Sequence, residues 1–315
     1  MNVIQWELAS TREQYGNTLV ELGHENSNIV VLGGDLNVST FIHLFGKAFP
    51  ERFFDFGAAE QNMISAAAGL AAAGKIPFCS TFAVFGTGRA FDQIRLGVAQ
   101  PFQNVKLVCT HAGLLTGEDG ISAQSIEDLG LMLSLPTMTV ITPSDAEETA
   151  IAVRAAADFK GPVYIRLCRP ATPMVHQGAC EFEVGKAEAM KDGADVGILA
   201  CGTMVSTALE AAALLSKEDI SAAVLNIHTL RPLDDEAISR VARATGAIVT
   251  AEEHYVHGGL GSLVSSVVGG SFPVPIETVG VKQYAESGTA GLLLNKYGLT
   301  ASHIADAARR AIARK

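Results

Sequence analysis

Hydrophobic positions alternate between helical faces and short unbroken runs along most of the chain. Residues 11–25 carry apolar side chains at helical spacing, with Leu19 and Leu22 on one face and Thr11 placed as the cap. Residues 28–32 form a continuous apolar run ending in Gly33-Gly34-Asp35, the pattern of a strand buried on both faces. The spacing then predicts helix 60–73, strand 76–79, helix 89–100, strand 105–110, helix 125–133, strand 138–141, helix 145–157 and strand 163–167. Strands separated by helices require crossover connections, and hence a parallel, doubly wound sheet.

The alternation breaks between Pro170 and Lys191, where Pro170, Pro173, Gly178, Gly185 and Gly193 fall close together among charged residues. A second alternating run follows, with strands at 195–200, 222–227, 247–250 and 274–278 and helices at 205–215, 233–244, 261–268 and 302–313. The predicted fold is therefore α/β with two doubly wound domains, the second smaller. Their expected limits are 1–172 and 193–315, with a linker over 173–192. No internal repeat or low-complexity segment is evident, and the Ala-rich stretches are ordinary helix formers.

A chain of 315 residues has room for two such domains. Its formal net charge of −10, with no basic block, argues against nucleic acid or an anionic membrane as partner. The start, Met1-Asn2-Val3-Ile4-Gln5-Trp6-Glu7, lacks the basic and apolar regions of a signal peptide. Every long apolar run is interrupted by Gly, Lys, Pro or Asp, so no membrane span is expected. The chain reads as cytoplasmic. Its five cysteines, Cys79, Cys109, Cys168, Cys180 and Cys201, are odd in number and scattered, which predicts free thiols rather than disulfides or metal ligands. His254 and His257 lack a third ligand, so no metal site is read here.

Glu60 is a lone carboxylate at the mouth of a helix made mostly of small residues, Ser65-Ala66-Ala67-Ala68-Gly69-Leu70-Ala71-Ala72-Ala73. Such a helix packs closely against a neighbour, and burial of Glu60 there would raise its pKa and suit it to proton chemistry. The plain alternative is a first-turn Glu favoured by the helix dipole. Phe82 and Phe85, three residues apart after a short strand, can face one pocket; the plain alternative is a core pair.

Six motifs change the weighting: Gly57-x-x-Glu60-Gln61-Asn62-Met63, Ser80-Thr81-Phe82, Ala90-Phe91-Asp92-Gln93, Thr110-His111-Ala112-Gly113, Gly117-Glu118-Asp119-Gly120 and Pro143-Ser144-Asp145. In this order and spacing the chain resembles the transketolase superfamily of thiamine diphosphate enzymes. The resemblance covers essentially the whole chain but only the second half of a full-length transketolase. It implies a pyrimidine-binding domain followed by a transketolase C-terminal domain. It implies that Glu60 is the catalytic carboxylate that hydrogen-bonds the cofactor's pyrimidine nitrogen and promotes the imino tautomer. It further implies that Phe82 and Phe85 wall the pyrimidine ring. Arg12, Ser39, His111 and Arg166 fall at the family's substrate-phosphate positions, where the Arg and His cations would suit a phosphate dianion. Asp119 falls where a substrate hydroxyl is read.

Two positions depart from the family pattern. Gly88 stands at a usual Tyr, and Ala123 at a usual His, in Gly120-Ile121-Ser122-Ala123-Gln124. Ala123 cannot hydrogen-bond a substrate hydroxyl, which points toward a non-standard ketose phosphate such as a branched, apulose-type sugar. The family's Gly-Asp-Gly motif for diphosphate and Mg²⁺ is missing. By this resemblance, diphosphate and Mg²⁺ are held mainly by a partner chain, an N-terminal transketolase subunit, in an α2β2 assembly acting on sugar phosphates. The implied reaction transfers a two-carbon ketol unit between them, the cofactor carrying the covalent chemistry. The rival readings are a 1-deoxyxylulose-5-phosphate synthase-like enzyme, the β subunit of a 2-oxo acid dehydrogenase, and a catalytically silent homologue. The His228-x-x-Arg231-Pro232 motif and the Gly258–Gly261 cluster of the second domain are assigned no catalysis.

Overall fold

The structure, a computed structural model, describes residues 4–176, 178 and 180–315. The reading of the first three residues, and two positions of the expected linker, Gln177 and Ala179, lie outside the described residues.

The first half supplies β1 (Leu8–Ala9), β2 (Ile29–Gly33), β3 (Phe53–Asp55), β4 (Ile76–Phe82), β5 (Lys106–Thr110), β6 (Thr139–Ile141), β7 (Val163–Arg166) and β8 (Thr172–Pro173). The second supplies β9 (Glu188–Lys191), β10 (Val196–Ala200), β11 (Ala222–Asn226), β12 (Thr229–Arg231), β13 (Ile248–Tyr255) and β14 (Ile276–Val281). A seven-stranded sheet has the order β12-β6-β7-β5-β4-β2-β3 and is parallel except for β12. A five-stranded sheet has the order β14-β13-β10-β11-β9, parallel except for β9. The fold class expected from the alternation is borne out. β2, β5, β7 and β10 are buried at every position, as central parallel strands should be.

β12 comes from the second half of the chain yet closes the edge of the first sheet against β6. One apolar cluster also runs from Leu32, Met63 and Ile94 through Met132 and Val140 to Leu230, Ile238 and Leu260, so the two halves share a core. Among the described residues no helix is long and apolar enough to cross a membrane.

Several elements differ from the sequence pattern. Helix Thr11–Glu25 forms, but its cap is Ser10, whose hydroxyl accepts from the Glu13 amide at 3.3 Å. β4 runs to Phe82, three residues beyond its apolar core, because Ser80 and Thr81 lie fully inside the sheet. The single helix expected over 89–100 is instead a short α-helical turn, Phe91–Gln93, between two wide turns, Val84–Arg89 and Ile94–Ala99. Such wide turns absorb extra residues and re-aim side chains, and they concentrate at functional sites.

Candidate active site

The candidate site is assembled at the C-terminal ends of β2, β4, β5 and β7, where open parallel sheets place their ligands. Glu60 opens helix Glu60–Ala72 and is 1% exposed. Asp55 joins the two loops at its door. Its carboxylate accepts from the Asp35 amide at 3.1 Å, the Asn37 amide group at 2.6 Å and the Gly57 amide at 3.0 Å. Gly57 has φ +67°, a left-handed turn that glycine adopts without strain, and this turn aims the helix.

Glu60 Oε2 accepts a 2.7 Å hydrogen bond from Arg89 Nη1. The Arg89 guanidinium in turn lies 4.6 Å over the Phe85 ring. The Phe82 and Phe85 rings are nearly parallel, 12° apart at 5.9 Å, and the His111 ring stacks on Phe82 at 3.6 Å. A side chain on Gly34 would touch both Glu60 and Thr81, so these two converge on one bare stretch of backbone. Thr81 Oγ1 is buried with no protein partner. A buried carboxylate, parallel aromatic rings and a buried hydroxyl thus lie together, and the hydroxyl of Thr81 is a polar demand the chain does not meet itself. An aminopyrimidine ring, flat and rich in donors and acceptors, fits that description.

Beside it lies a cationic group. Arg12 donates to the Ser39 carbonyl and sits 5.5 Å from the Phe41 ring, while its Nε is buried without a partner. Burial lowers its pKa from the ordinary arginine value. His111 is 3% exposed with φ +57°, and its Nδ1 lies 2.8 Å from Thr110 Oγ1. Burial, then the fields of Arg12 and Arg169, push the His111 pKa down to about 3. His111 is therefore neutral near pH 7, which corrects its expected role as a cation. The positive charge of this group is carried by Arg12 and Arg169.

Arg166 is not brought to this group. It is 7% exposed, with Nε donating to Asp128 Oδ2 at 2.8 Å and Nη2 to the Glu253 carbonyl at 2.9 Å. Burial opposes both charges, but the pairing more than offsets it: Arg166 is raised and Asp128 lowered from ordinary values. The second arginine beside His111 is Arg169, three residues on. It donates to the Thr116 carbonyl at 2.7 Å and to Glu118 at 3.0 Å, and it approaches Asp119 at 3.8 Å. Arg166 is the last residue of β7, whereas Arg169 lies beyond the strand end, on the side where the site forms. That position was the available signal for Arg169. Nothing in the sequence pattern pointed to Arg89, whose aim depends on the wide turn.

Gly113 shows how the second domain supports this loop. Its φ is +75°, and a side chain there would come within 2.3 Å of Glu253 Oε1. Glu253 accepts from the Leu115 amide at 2.6 Å and from Thr203 at 3.0 Å.

The comparisons with known proteins agree with this geometry. The transketolase pyrimidine-binding domain family matches residues 7–174, and the transketolase C-terminal domain family matches residues 185–304. The chain is 42% identical to a 6-deoxy-6-sulfo-D-fructose transketolase subunit of a Clostridium species, over 96% of this chain and 95% of that one. It is 42% identical to human transketolase over 95% of this chain but only 48% of the human one, and so spans about half its length. A solved structure described as a split gene transketolase, an inactive beta4 tetramer, superposes with a TM-score of 0.91 at 50% identity, covering 97% of this chain and 99% of that one.

Fold and site together define a chain of the transketolase family, whose members depend on thiamine diphosphate. More particularly, it is the C-terminal half of a transketolase-type transferase, carrying the pyrimidine-binding domain and the C-terminal domain. The resemblance read from the motifs is borne out.

Proposed function

We propose that this chain is the pyrimidine- and substrate-binding subunit of a two-component transketolase, transferring a two-carbon ketol unit between sugar phosphates. The observation that carries this is the adjacency of a buried carboxylate, Glu60, to the parallel Phe82 and Phe85 faces, beside the Arg12–His111–Arg169 cluster. Thiamine diphosphate, when bound, supplies the nucleophilic carbon. Glu60 holds a proton between its carboxylate and the pyrimidine nitrogen, and Phe82 and Phe85 exclude water from that ring. Arg12, Ser39, His111 and Arg169 hold the terminal anion of the sugar, and Asp119 reads a hydroxyl near the reacting carbons. Arg12 Nε supplies a buried donor still lacking an acceptor.

The diphosphate and its Mg²⁺ belong to a second chain in this reading, in an α2β2 assembly. The exposed face of helix Glu60–Ala72, with Gln61, Asn62, Ser65, Gly69 and Ala72, is small and polar enough for close packing of two copies. Four buried free thiols, Cys79, Cys109, Cys168 and Cys201, suit a reducing compartment such as the cytoplasm. Ala123 is 7% exposed and offers no hydrogen bond, so the sugar is one that makes no demand there, a branched or otherwise non-standard ketose phosphate.

The test is reconstitution. Ketol transfer from xylulose 5-phosphate, with ribose 5-phosphate and then branched acceptors, is measured for this chain alone and with a diphosphate-binding subunit. Activity only in the pair supports the reading. Full activity of this chain alone would overturn the partner requirement, and a pair that binds cofactor yet transfers no ketol unit from any of these would overturn the reaction.

A further inference from the structure

A second group of reactive side chains shares no residue with the site above. Glu148 lies on helix Ala146–Asp158 of the first domain, His176 and Cys180 on the connecting segment, and Glu188 on β9 of the second domain. One ligand atom from each can be chosen so that all four lie within 4.8 Å of one another. Glu148 is fully buried and His176 is 6% exposed.

The imidazole is oriented as in a metal centre. His176 Nδ1 lies 2.9 Å from Asp145 Oδ2, and the opposite nitrogen, Nε2, lies 2.8 Å from Glu188 Oε2. Asp145 is itself fixed, accepting from the backbone amides of Glu148, Val175 and His176. A carboxylate holding one ring nitrogen so that the other faces the ion is the usual outer support of a ligating histidine. Glu148 is fixed too, by the Ser144 amide and hydroxyl at 2.6 and 2.7 Å and by Asn226 at 2.9 Å.

Charge points the same way. Three carboxylates, Asp145, Glu148 and Glu188, surround one imidazole in a largely buried place. A divalent cation placed among these groups would be balanced by their charge. We propose that Glu148, His176, Cys180 and Glu188 form a structural site for a divalent transition metal, Zn²⁺ by its ligand set, which clips the connecting segment to both domains. One nitrogen, one thiolate and two carboxylate oxygens suit Zn²⁺ and leave Mg²⁺ and Ca²⁺ poorly served. Ligands at about 2.0–2.3 Å from a tetrahedral ion stand roughly 3.3–3.8 Å apart. The His176–Glu188 contact at 2.8 Å has to open, and any pair near the 4.8 Å limit has to close, as the ion takes its place among them. On binding, the Cys180 thiol and the hydrogen-bonded His176–Glu188 pair each release one proton to solvent.

The test uses the full chain, dialysed against chelator and then given one equivalent of Zn²⁺ or Co²⁺. One tightly held Zn²⁺ per chain is expected, with a rise in melting temperature that EDTA reverses. The Co²⁺ form should show a thiolate-to-metal absorption band in the near ultraviolet. Cys180→Ser should lose that band and weaken binding by about ten-fold or more, with Glu188→Gln doing the same to affinity while keeping the band. Both positions are partly exposed, so the variants should fold, which circular dichroism checks. Failure to retain Zn²⁺, or Co²⁺ binding without a thiolate band and indifferent to Cys180→Ser, would overturn the assignment.

Discussion

Glu60 Oε2 and Arg89 Nη1 stand 2.7 Å apart, and the Arg89 guanidinium covers the Phe85 ring. The proposed catalytic carboxylate is thus tied to the aromatic wall by one side chain from the wide turn Val84–Arg89.

Removing Arg89 should expose this tie. Arg89→Ala leaves a buried carboxylate without its partner. Because the arginine side chain is 47% exposed, the cost should be modest, about 1 kcal/mol. Glu60→Gln should cancel most of that loss in the double variant. Denaturant melts of the four proteins measure the coupling, and strictly additive losses would count against the pair.

Arg169 and Arg166 should behave differently. Arg169→Ala should raise KM for a sugar phosphate by about ten- to hundred-fold with kcat little changed, as loss of a charge-assisted bond predicts. Arg166→Ala strands Asp128, which is 0% exposed, and should cost about 3–5 kcal/mol of stability. Steady-state kinetics on one variant and urea melts on the other separate the two. A KM defect in a fully stable Arg166→Ala protein would contradict the assignment.

Stability should carry a pH signature from Glu253. Burial raises its pKa from 4.5 to about 7, although Arg166 opposes this. Between pH 4.5 and 7 the folded protein then holds a proton that the unfolded chain has lost, so this group's contribution falls as pH rises through that window and is level above it. Glu253→Gln keeps the bonds to Leu115 and Thr203 through a neutral amide. Its stability relative to the parent should therefore improve from pH 4.5 to 7. A constant difference across that range would refute the shift.

His111 should act oppositely. With a folded pKa of about 3, it resists a proton that the unfolded chain takes up below 6.5. Stability from this group falls as pH drops from 6.5 toward 3. His111→Gln should flatten that acid limb in urea melts between pH 4 and 7; an unchanged slope would contradict a neutral, buried His111.

Much of the fold was legible because local patterns decided it. The periodic apolar face of Thr11–Glu25 and the apolar run of Ile29–Gly33 are matters of a few neighbouring residues. What was not legible depends on distant partners. β12 joins β6 across roughly ninety intervening residues of chain, and no local signal marks such a pairing. The helix expected over 89–100 was disrupted by two wide turns that three-to-four periodicity cannot distinguish from ordinary helix. In the site, Glu60, Phe82, Phe85, Arg12 and His111 could be picked out by motif. The exchange of Arg166 for Arg169 could not be made by motif, because both are arginines near one strand end, and only their places within and beyond that end set them apart. Only Asp128, from another element, decides which of them is buried.

The most direct measurement is ketol-transfer turnover of the reconstituted assembly carrying Glu60→Gln. Glutamine keeps the shape and a hydrogen bond but cannot exchange a proton with the pyrimidine nitrogen. Turnover should fall by about 10²- to 10⁴-fold, with folding, assembly and sugar-phosphate affinity retained. Wild-type turnover in that variant would contradict the role given to Glu60.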